Sequence, residues 1–187
     1  MQRLYLEQEI TYDGTQLCSH FAYRNYGILG DVILAFQGPC RVGLGEMVDL
    51  EDVRDGLFIY SPRMLSFIVE HFDPHLECAV LRQRLLVALA ADILRSLSPQ
   101  AKEGLARRGD DLYLEGRKLS VSIATVSPVS SLIHFGINVL TEGTPVPTAG
   151  LTELGVEPAG FAESLMDAYL EENAGIMKAR CKVRWVP

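Results

Sequence analysis

Six polar or small residues recur at every second position in two neighbouring segments of the chain. They are Lys118, Ser120 and Ser122 in the first segment and His134, Gly136 and Asn138 in the second. Because successive side chains of a β-strand point to opposite faces, each set of three is expected on one face of its strand. An amine, two hydroxyls, an imidazole and a carboxamide beside a bare glycine could bind a small anionic ligand. The alternative is a solvated outer face in which the glycine is incidental.

A hairpin of the two segments would bring these six residues together. Placing Thr125 opposite Ser131 leaves residues 126–130 as a loop, which accommodates Pro128. The pairs that follow are Ser122 with His134, Ser120 with Gly136, and Lys118 with Asn138. The glycine would then leave a gap on the sheet in which the backbone can approach a ligand closely.

A second candidate site follows the apolar segment 31–36, which predicts a buried central strand. The next residues, 37–49, include Arg41, Gly43 and Gly45. Backbone amides of a glycine-rich loop can bind phosphate, and an arginine adds a bidentate partner. The GxGxxG and GxxxxGK[ST] patterns are absent, so glycines that serve tight turns are the alternative.

Acidic residues offer two places for a divalent cation. Asp110 and Asp111 come directly before the lysine-bearing segment, where a turn-capping pair is the alternative to a Mg²⁺ site. The segment 49–55 is also acidic, and a solvated helical turn is the commoner explanation there. Residues 70–75 contain two histidines but lack the HExxH spacing of a zinc site.

Composition limits the classes of protein to consider. The 187 residues are predicted to form a single domain, 1–187, with 48% hydrophobic and 22% charged residues. The net charge of −7 argues against nucleic acid as the main partner. No apolar run reaches the roughly 18 residues of a membrane span, and the first residues lack the order of a signal peptide. The four cysteines are widely spaced, which favours reduced thiols and a cytoplasmic location.

The sequence also predicts the helices and strands that position the site. The clearest helix is predicted over 75–96, with Asp73 as its N-cap, and its apolar stripe should pack on a sheet. That stripe comprises Leu76, Val80, Leu81, Leu85, Ala88, Leu89 and Ile93. Residues 61–69 open with Ser-Pro, which favours a helix, although a strand stays open as an alternative.

The end of the chain is predicted to hold a further helix and strand. The helix starts at Pro158, with an interruption near 173–175, and residues 182–186 form the strand. Regular strand–helix alternation is missing and the legible strands are antiparallel. The predicted fold class is therefore α+β, with a mixed, largely antiparallel sheet and helices packed against it.

The lysine-bearing segment and its partner are similar to two segments of the biotin and lipoate protein ligases. They read GRKLSVSI at 116–123 and HFGINV at 134–139. More closely, nearly the whole chain resembles a family that is common in archaea and is placed with those ligases and the class II aminoacyl-tRNA synthetase core. That closer match lies in FQGPC (36–40), MVDLED (47–52), QRLL (83–86), GDD (109–111) and KLSVSI (118–123).

The resemblance implies a ligase-like sheet with a pocket for a carboxylate and a nucleotide. A lysine of the ligases contacts the acyl carboxylate and the α-phosphate of an acyl-adenylate, and Lys118 matches it. The implied cofactors are ATP and Mg²⁺. The chain departs from the ligases at Ser120-Val121, where they carry a small residue, usually glycine. It also has only Arg41, Gly43 and Gly45 where the lipoate enzymes have an RRxSGGG loop.

Two functions follow from these observations. The first is an enzyme that activates a small carboxylate with ATP, or transfers an acyl group, with Lys118 as electrostatic anchor. Arg41 would then bind phosphate, while His134 and Asn138 position the substrate. The second is a non-catalytic ligand-binding or protein-interaction module that shares the fold. A small molecule is the expected ligand, and a homodimer and a monomer both stay open.

Overall fold

A strand of 13 residues, Ile59–His71, lies at the centre of a five-stranded sheet. In chain order the strands of this sheet are β1 (Gln2–Leu6), β2 (Val32–Val42), β3 (Ile59–His71), β7 (Ser120–Val126) and β8 (Ser131–Leu140). Their spatial order is β1-β2-β3-β8-β7, and only β1 and β2 are parallel. The predicted α+β class with a mixed, largely antiparallel sheet is confirmed.

The computed structural model describes residues 1–186, which also hold a small second sheet and the helices. The small sheet has three antiparallel strands: β4 (Leu105–Arg108), β5 (Asp111–Leu114) and β6 (Arg117–Lys118). The helices are α1 (Phe21–Tyr26), α2 (Leu50–Asp55), α3 (Leu76–Leu97), α4 (Pro99–Gly104) and α5 (Pro158–Lys182). No helix among residues 1–186 is both long and apolar enough to cross a membrane.

The two faces of the large sheet bury different residues. One face, here called the helix face, carries Ile33, Phe67 and Phe135 and is covered by α3 and α5. The ring of Phe67 lies 5.8 Å from that of Phe135 and 6.4 Å from that of Phe161 on α5. Aromatic rings at these separations add to the stabilisation that burial alone provides. The helix face therefore holds the main core.

The opposite face, here called the N-terminal face, is covered by the segment between β1 and β2. Tyr12 and Ala22 of that segment pack against Phe36 and Ile68 of the sheet. Glu70 of β3 is buried there, and its carboxylate accepts hydrogen bonds from the His20 amide at 2.8 Å and the Ser130 hydroxyl at 2.7 Å. A buried carboxylate requires such donors, so Glu70 ties the covering segment to the sheet.

Residues 61–69 belong to strand β3. The helix that the Ser-Pro start favoured is therefore wrong, and the strand kept as the alternative is confirmed. Every residue from Met64 to His71 is buried, because β3 has neighbours on both edges and cover on both faces. A strand buried on both faces loses its alternation of polar and apolar residues. Periodicity then cannot distinguish it from a buried helix.

Helix α3 lies close to its predicted bounds but turns a different face to the sheet. Its buried residues are Ala79, Gln83, Leu86, Val87, Ala90, Ala91 and Leu94. Leu76 and Leu81 of the predicted stripe are 52% and 63% exposed. Small alanines let the helix approach the sheet closely, and a pattern weighted towards large apolar residues overlooks them. His75, rather than Asp73, is the N-cap, and the Asp73 carboxylate instead pairs with Arg82 at 3.2 Å.

Helix α5 begins at Pro158 as predicted and continues without a break at 173–175. Its first half buries Phe161, Leu165 and Tyr169, whereas no residue after Leu170 is buried. Residues 183–186 form no strand, so the predicted final strand is wrong. The Tyr169 hydroxyl lies 2.9 Å from His71 Nε2, which joins the helix to the end of β3.

A pair of leucines on α3 tests which face of the helix is buried. Leu86→Ala is expected to lower the free energy of unfolding by about 2–5 kcal/mol, because it leaves a cavity in the core. Leu81→Ala should change it by less than about 0.5 kcal/mol, since that side chain is mostly in water. Chemical denaturation of the two variants measures both. A larger loss for Leu81→Ala would contradict the packing described here.

Candidate functional site

The β7–β8 hairpin pairs one residue out of the predicted register. Val126 lies opposite Ser131, so residues 127–130 form the loop. The Ser127 amide donates to the Ser130 carbonyl at 2.7 Å and closes this shorter turn. The pairs that result are Ser120 with Ile137, Ser122 with Phe135, Val121 with Gly136, and Ile123 with His134. Ser120 and Ser122 therefore lie on the opposite face from His134, Gly136 and Asn138, so the prediction that these five residues and Lys118 share one face is wrong. Lys118 belongs to β6 and pairs with Tyr113, so its predicted pairing with Asn138 is wrong as well.

The two serines lie on the helix face, where partners distant in the sequence satisfy them. The Ser120 hydroxyl accepts a hydrogen bond from the Leu112 amide at 2.8 Å. The Ser122 hydroxyl accepts one from Gln83 Nε2 of α3 at 2.9 Å. Hydroxyls removed from water need such partners. The small size of the two serine side chains also lets α3 pack closely on β7. Ser122 also reaches the edge of the pocket described below, and Ser120 does not.

Gly136 and Asn138 lie on the N-terminal face but do not line the pocket described below. The space above Gly136 is filled by the sulfur of Met64, with which a side chain at 136 would collide. Asn138 is buried, and its Nδ2 lies 3.5 Å from the Lys118 carbonyl oxygen, to which it donates. The predicted gap at Gly136 is therefore closed, and Asn138 supports the lysine through its backbone.

Lys118, Val121, Ile123 and His134 line a cavity of about 210 Å³ on the N-terminal face. We call this cavity the Lys118 pocket. Strand β7 of the large sheet contributes the apolar floor at Val121 and Ile123, β8 contributes His134, and β6 of the small sheet contributes the lysine. Residues 46–49 and Asp52 close the opposite side. The larger cavity of about 740 Å³ lies elsewhere, near α3 and α5, and none of the predicted site residues lines it.

The Lys118 ammonium is ion-paired with the Asp111 carboxylate at 2.8 Å, and both groups are largely buried. Burial opposes the charge of the lysine, but the hydrogen bond and the charge of Asp111 outweigh it and raise the pKa of Lys118. Burial raises the pKa of Asp111; Lys118 opposes this shift, and Asp110 and Asp52 reinforce it. Lys118 is therefore positively charged, its charge is offset by Asp111, and the pocket around this pair is rich in carboxylates.

The other carboxylates of the pocket differ in how they are compensated. Asp49 accepts hydrogen bonds from backbone amides as the N-cap of α2, with the Glu51 amide at 2.8 Å. Asp110 accepts from Gln83 Nε2 at 2.8 Å and lies 3.4 Å from Arg84. Burial and the nearby Asp49 raise the pKa of Asp52.

Within residues 1–186, no group of three or more potential ligands is arranged to hold a metal ion.

Two aromatic rings form one wall of the pocket. The rings of Tyr12 and His134 are stacked, with centroids 3.7 Å apart and planes 12° from parallel. Tyr12 is held by a backbone bridge to Cys40 of β2, and its amide donates to the Pro39 carbonyl at 2.9 Å. Burial lowers the pKa of His134 to about 3, so the imidazole is neutral at ordinary pH. It can orient a ligand but adds no positive charge.

The predicted phosphate loop is divided between a strand and a turn. Arg41 lies in β2 opposite Tyr60 and is exposed, and Gly43 and Gly45 lie in the exposed turn that follows. None of the three lines the Lys118 pocket, to which this turn contributes Glu46 instead. Phosphate binding by Arg41 and its glycines stays a prediction, as does Mg²⁺ binding by Asp110 and Asp111.

Sequence reasoning missed Tyr12 and the part that Asp52 plays in the pocket. Tyr12 directly precedes Asp13-Gly14, a pair that is typical of a turn, and Asp52 falls in the segment 49–55, for which a solvated helical turn is the commoner explanation. Both reach the pocket through contacts between distant parts of the chain, for which a single sequence carries no signal. The predicted residues that the pocket does contain are Lys118, Ser122, His134, Asp110 and Asp111.

A mixed sheet with helices packed on one face is also the fold of the biotin and lipoate protein ligases. Biotin protein ligase from Aquifex aeolicus, solved with biotin and ATP, matches with a TM-score of 0.58 at 16% identity; the match covers 91% of this chain and 69% of that one. A lipoate protein ligase from Thermoplasma acidophilum matches with a TM-score of 0.58 at 14% identity, over 91% and 82% of the two chains. Identities this low show the fold alone.

The chain belongs to the family described as Domain of unknown function (DUF366), which matches residues 1–184. A protein of unknown function from Pyrococcus horikoshi has the same structure, with a TM-score of 0.93, 45% identity and coverage of 100% and 99% of the two chains. Uncharacterized protein MJ0805 from Methanocaldococcus jannaschii is 37% identical over 163 residues, which is 84% of this chain and 72% of that protein. The predicted family and the predicted kinship of fold are both confirmed.

Two glycines near the predicted phosphate loop are expected to respond differently to substitution. A methyl group at Gly38 would overlap the backbone carbonyl of Ile10, so Gly38→Ala should cost about 1–3 kcal/mol of stability. Gly43 has no other atom within 4 Å of the added group, and Gly43→Ala should change stability by less than about 0.5 kcal/mol. Thermal and chemical unfolding measure both, and equal effects would contradict the close approach of residue 10 to β2.

Titration of the pocket carboxylates tests its electrostatics. The pKa values of Asp111 and Asp52 are expected above the usual 3.8, and Lys118→Met should raise that of Asp111 further by removing the ammonium. The pKa of Asp31, lowered chiefly by its hydrogen bond to His71, should not move in that variant. Carbon-detected NMR of the carboxyl groups measures all three. A pKa of Asp111 below 3.8 in the unsubstituted protein would contradict its burial, and a pKa that Lys118→Met leaves unchanged would contradict the ion pair.

Proposed function

We propose that this protein binds a small molecule in the Lys118 pocket and that binding, rather than adenylation, is its basic function. The observation that carries the proposal is the partly buried Lys118–Asp111 ion pair at 2.8 Å beside the apolar residues Val121 and Ile123. Small-molecule sites typically combine an apolar wall with a few polar groups at fixed positions. The cavity of about 210 Å³ lies below the roughly 300–1,000 Å³ usual for drug-sized ligands, which favours a small ligand.

The charges of the pocket weigh against the direct binding of ATP. A lysine that anchors a phosphate or carboxylate must offer its charge to the ligand, whereas the charge of Lys118 is already offset by Asp111. Arg41, the other cation proposed for phosphate, is outside the pocket. An anion entering the site would also meet Asp52 and Glu46. Coulomb repulsion at these short distances is unfavourable even in a partly solvated site.

Activation of a carboxylate with ATP and Mg²⁺ is the second candidate function. It is supported by the position of Lys118 in a pocket on a ligase-like sheet, together with the ligase of Aquifex aeolicus that was solved with biotin and ATP. In this chain Mg²⁺ would have to offset the pocket carboxylates before a nucleotide could bind. The lysine could then stabilise charge on the phosphate as pyrophosphate leaves.

Ligand binding can be tested by NMR of labelled methyl groups. We expect fragments from a library of small charged and neutral compounds to shift the methyl signals of Val121 and Ile123, which line the pocket. The methyl signals of Val87 and Leu94, which are buried on α3 in the main core, serve as the control and should not shift. A library that leaves Val121 and Ile123 unchanged would remove the support for a ligand site here.

Carboxylate-dependent exchange of pyrophosphate into ATP separates the two candidates. If the protein binds its ligand without adenylating it, the rate of exchange with biotin, lipoate or short fatty acids should be as low in the unsubstituted protein as in Lys118→Met. Exchange that requires Mg²⁺ and is lost in Lys118→Met, with folding retained by circular dichroism, would establish the enzyme instead. Arg41→Ala tests the predicted phosphate contact in the same assay.

A further inference from the structure

A groove between α3 and α5 leaves large apolar side chains in water. The groove is the cavity of about 740 Å³, which Leu81 and Leu85 line from α3 and Leu170, Ala174 and Met177 line from α5. Leu81 and Met177 are 63% and 53% exposed. Apolar side chains gathered on one exposed surface mark a place where a partner can pack.

A row of apolar residues along α5 is spaced as in a coiled coil. Leu170, Ala174, Met177 and Cys181 are separated by four, three and four residues. At about 100° per residue, this spacing places all four on one face of the helix. Ala174, Met177 and Cys181 are exposed. We call these four residues the α5 seam.

The charges along α5 change sign near the middle of the α5 seam. Residues 158–172 contain four acidic residues and no basic one, whereas residues 173–182 contain three basic residues and no acidic one. Glu163 and Asp167 pair with Arg3, but Glu171 and Lys178 form no ion pair with any other of residues 1–186. The helix macrodipole favours such charges only in the first and last turns. It therefore does not account for Glu171, which lies in the middle of α5.

We propose that two copies of this chain form a dimer by packing the second halves of their α5 helices antiparallel along the α5 seam. With a two-fold axis near Ala174, Glu171 of each copy lies beside Lys178 of the other. This surface is separate from the Lys118 pocket, and the dimer does not depend on a ligand there.

The charge pattern selects both a second copy and its orientation. An antiparallel pair brings the acidic part of each helix to the basic part of the other, and symmetry forms each ion pair twice. A parallel pair would place like charges side by side, which is unfavourable. The antiparallel pair also places Met177 opposite Ala174, and Leu170 opposite Cys181, of the second copy. Each large residue of the seam then packs against a small one.

A second copy also supplies the contacts that the second half of α5 lacks. None of residues 171–182 is buried in a single chain. An isolated helix of that length is marginal in water, so packing against another element stabilises it. The helix of the second copy would lie over the groove and cover Leu81 together with Met177.

Sedimentation equilibrium of the whole chain tests the dimer and its orientation. We expect monomer and dimer to exchange at a protein concentration of about 100 µM, because a short interface binds weakly. Glu171→Lys and Lys178→Glu should each raise the dissociation constant about ten-fold or more, since like charges then meet. The double variant should restore dimerisation, because the same ion pairs form with their signs exchanged. Residues 171 and 178 are about 10 Å apart along one helix, so the restoration has to come from contacts between copies.

Lys102→Glu is the matched control, because it makes the same charge change on an exposed residue of α4 outside the groove. It should leave the dissociation constant within about two-fold of the original value. Amide protons of residues 171–182 should also exchange more slowly in the dimer than in Lys178→Glu, with folding of that variant verified by circular dichroism. A protein that stays monomeric, a dimer that neither charge reversal weakens, or a double variant as weak as the single ones would overturn the inference. Equal weakening by Lys102→Glu would overturn it as well.

Discussion

The arrangement of the whole molecule depends on the burial of β3 on both faces and its pairing on both edges. A strand in that position has no free backbone groups and no solvated side, so the helices and loops must cover one face of the sheet or the other. The helix face receives α3 and α5 and provides most of the core. The N-terminal face is covered mainly by a segment with little regular structure, tied down through Glu70. That cover leaves part of β7 and β8 open, and the Lys118 pocket occupies the opening.

The sequence predicted the fold class and the residue types of the site, but not which side chains meet. Loops of four and five residues both suit the β7–β8 hairpin, and the choice between them decides whether Ser122 or Ile123 faces the pocket. The partners that hold the two serines on the helix face, Gln83 for Ser122 and the Leu112 amide for Ser120, come from other elements of the chain. The buried face of α3 was predicted wrongly for a related reason, because three of its seven buried residues are alanines, which carry little hydrophobic signal. Lys118 was found because the family resemblance pointed to it independently of register.

A shared fold does not carry over the electrostatics of a shared site. The biotin and lipoate ligases and this protein share a fold, and Lys118 lies in a pocket on the sheet of this protein. The neighbouring residues nevertheless decide what that lysine can do, since Asp111 offsets its charge and Asp52 adds to the negative field. Function therefore has to be argued from the side chains around the lysine rather than from the sheet that holds it.

Helix α5 joins two segments of unequal stability in one continuous element. Its first half is held by the core through Phe161, Leu165 and Tyr169, whereas none of the 12 residues 171–182 is buried, so that this part depends largely on its own backbone hydrogen bonds. Isolated helical segments of that length are marginal in water. In a chain that is not paired with a second copy, amide protons should therefore exchange slowly up to the turn that contains Tyr169 and much faster beyond it. The boundary between the two rates would mark, residue by residue, where the tertiary structure of the protein ends although its secondary structure continues.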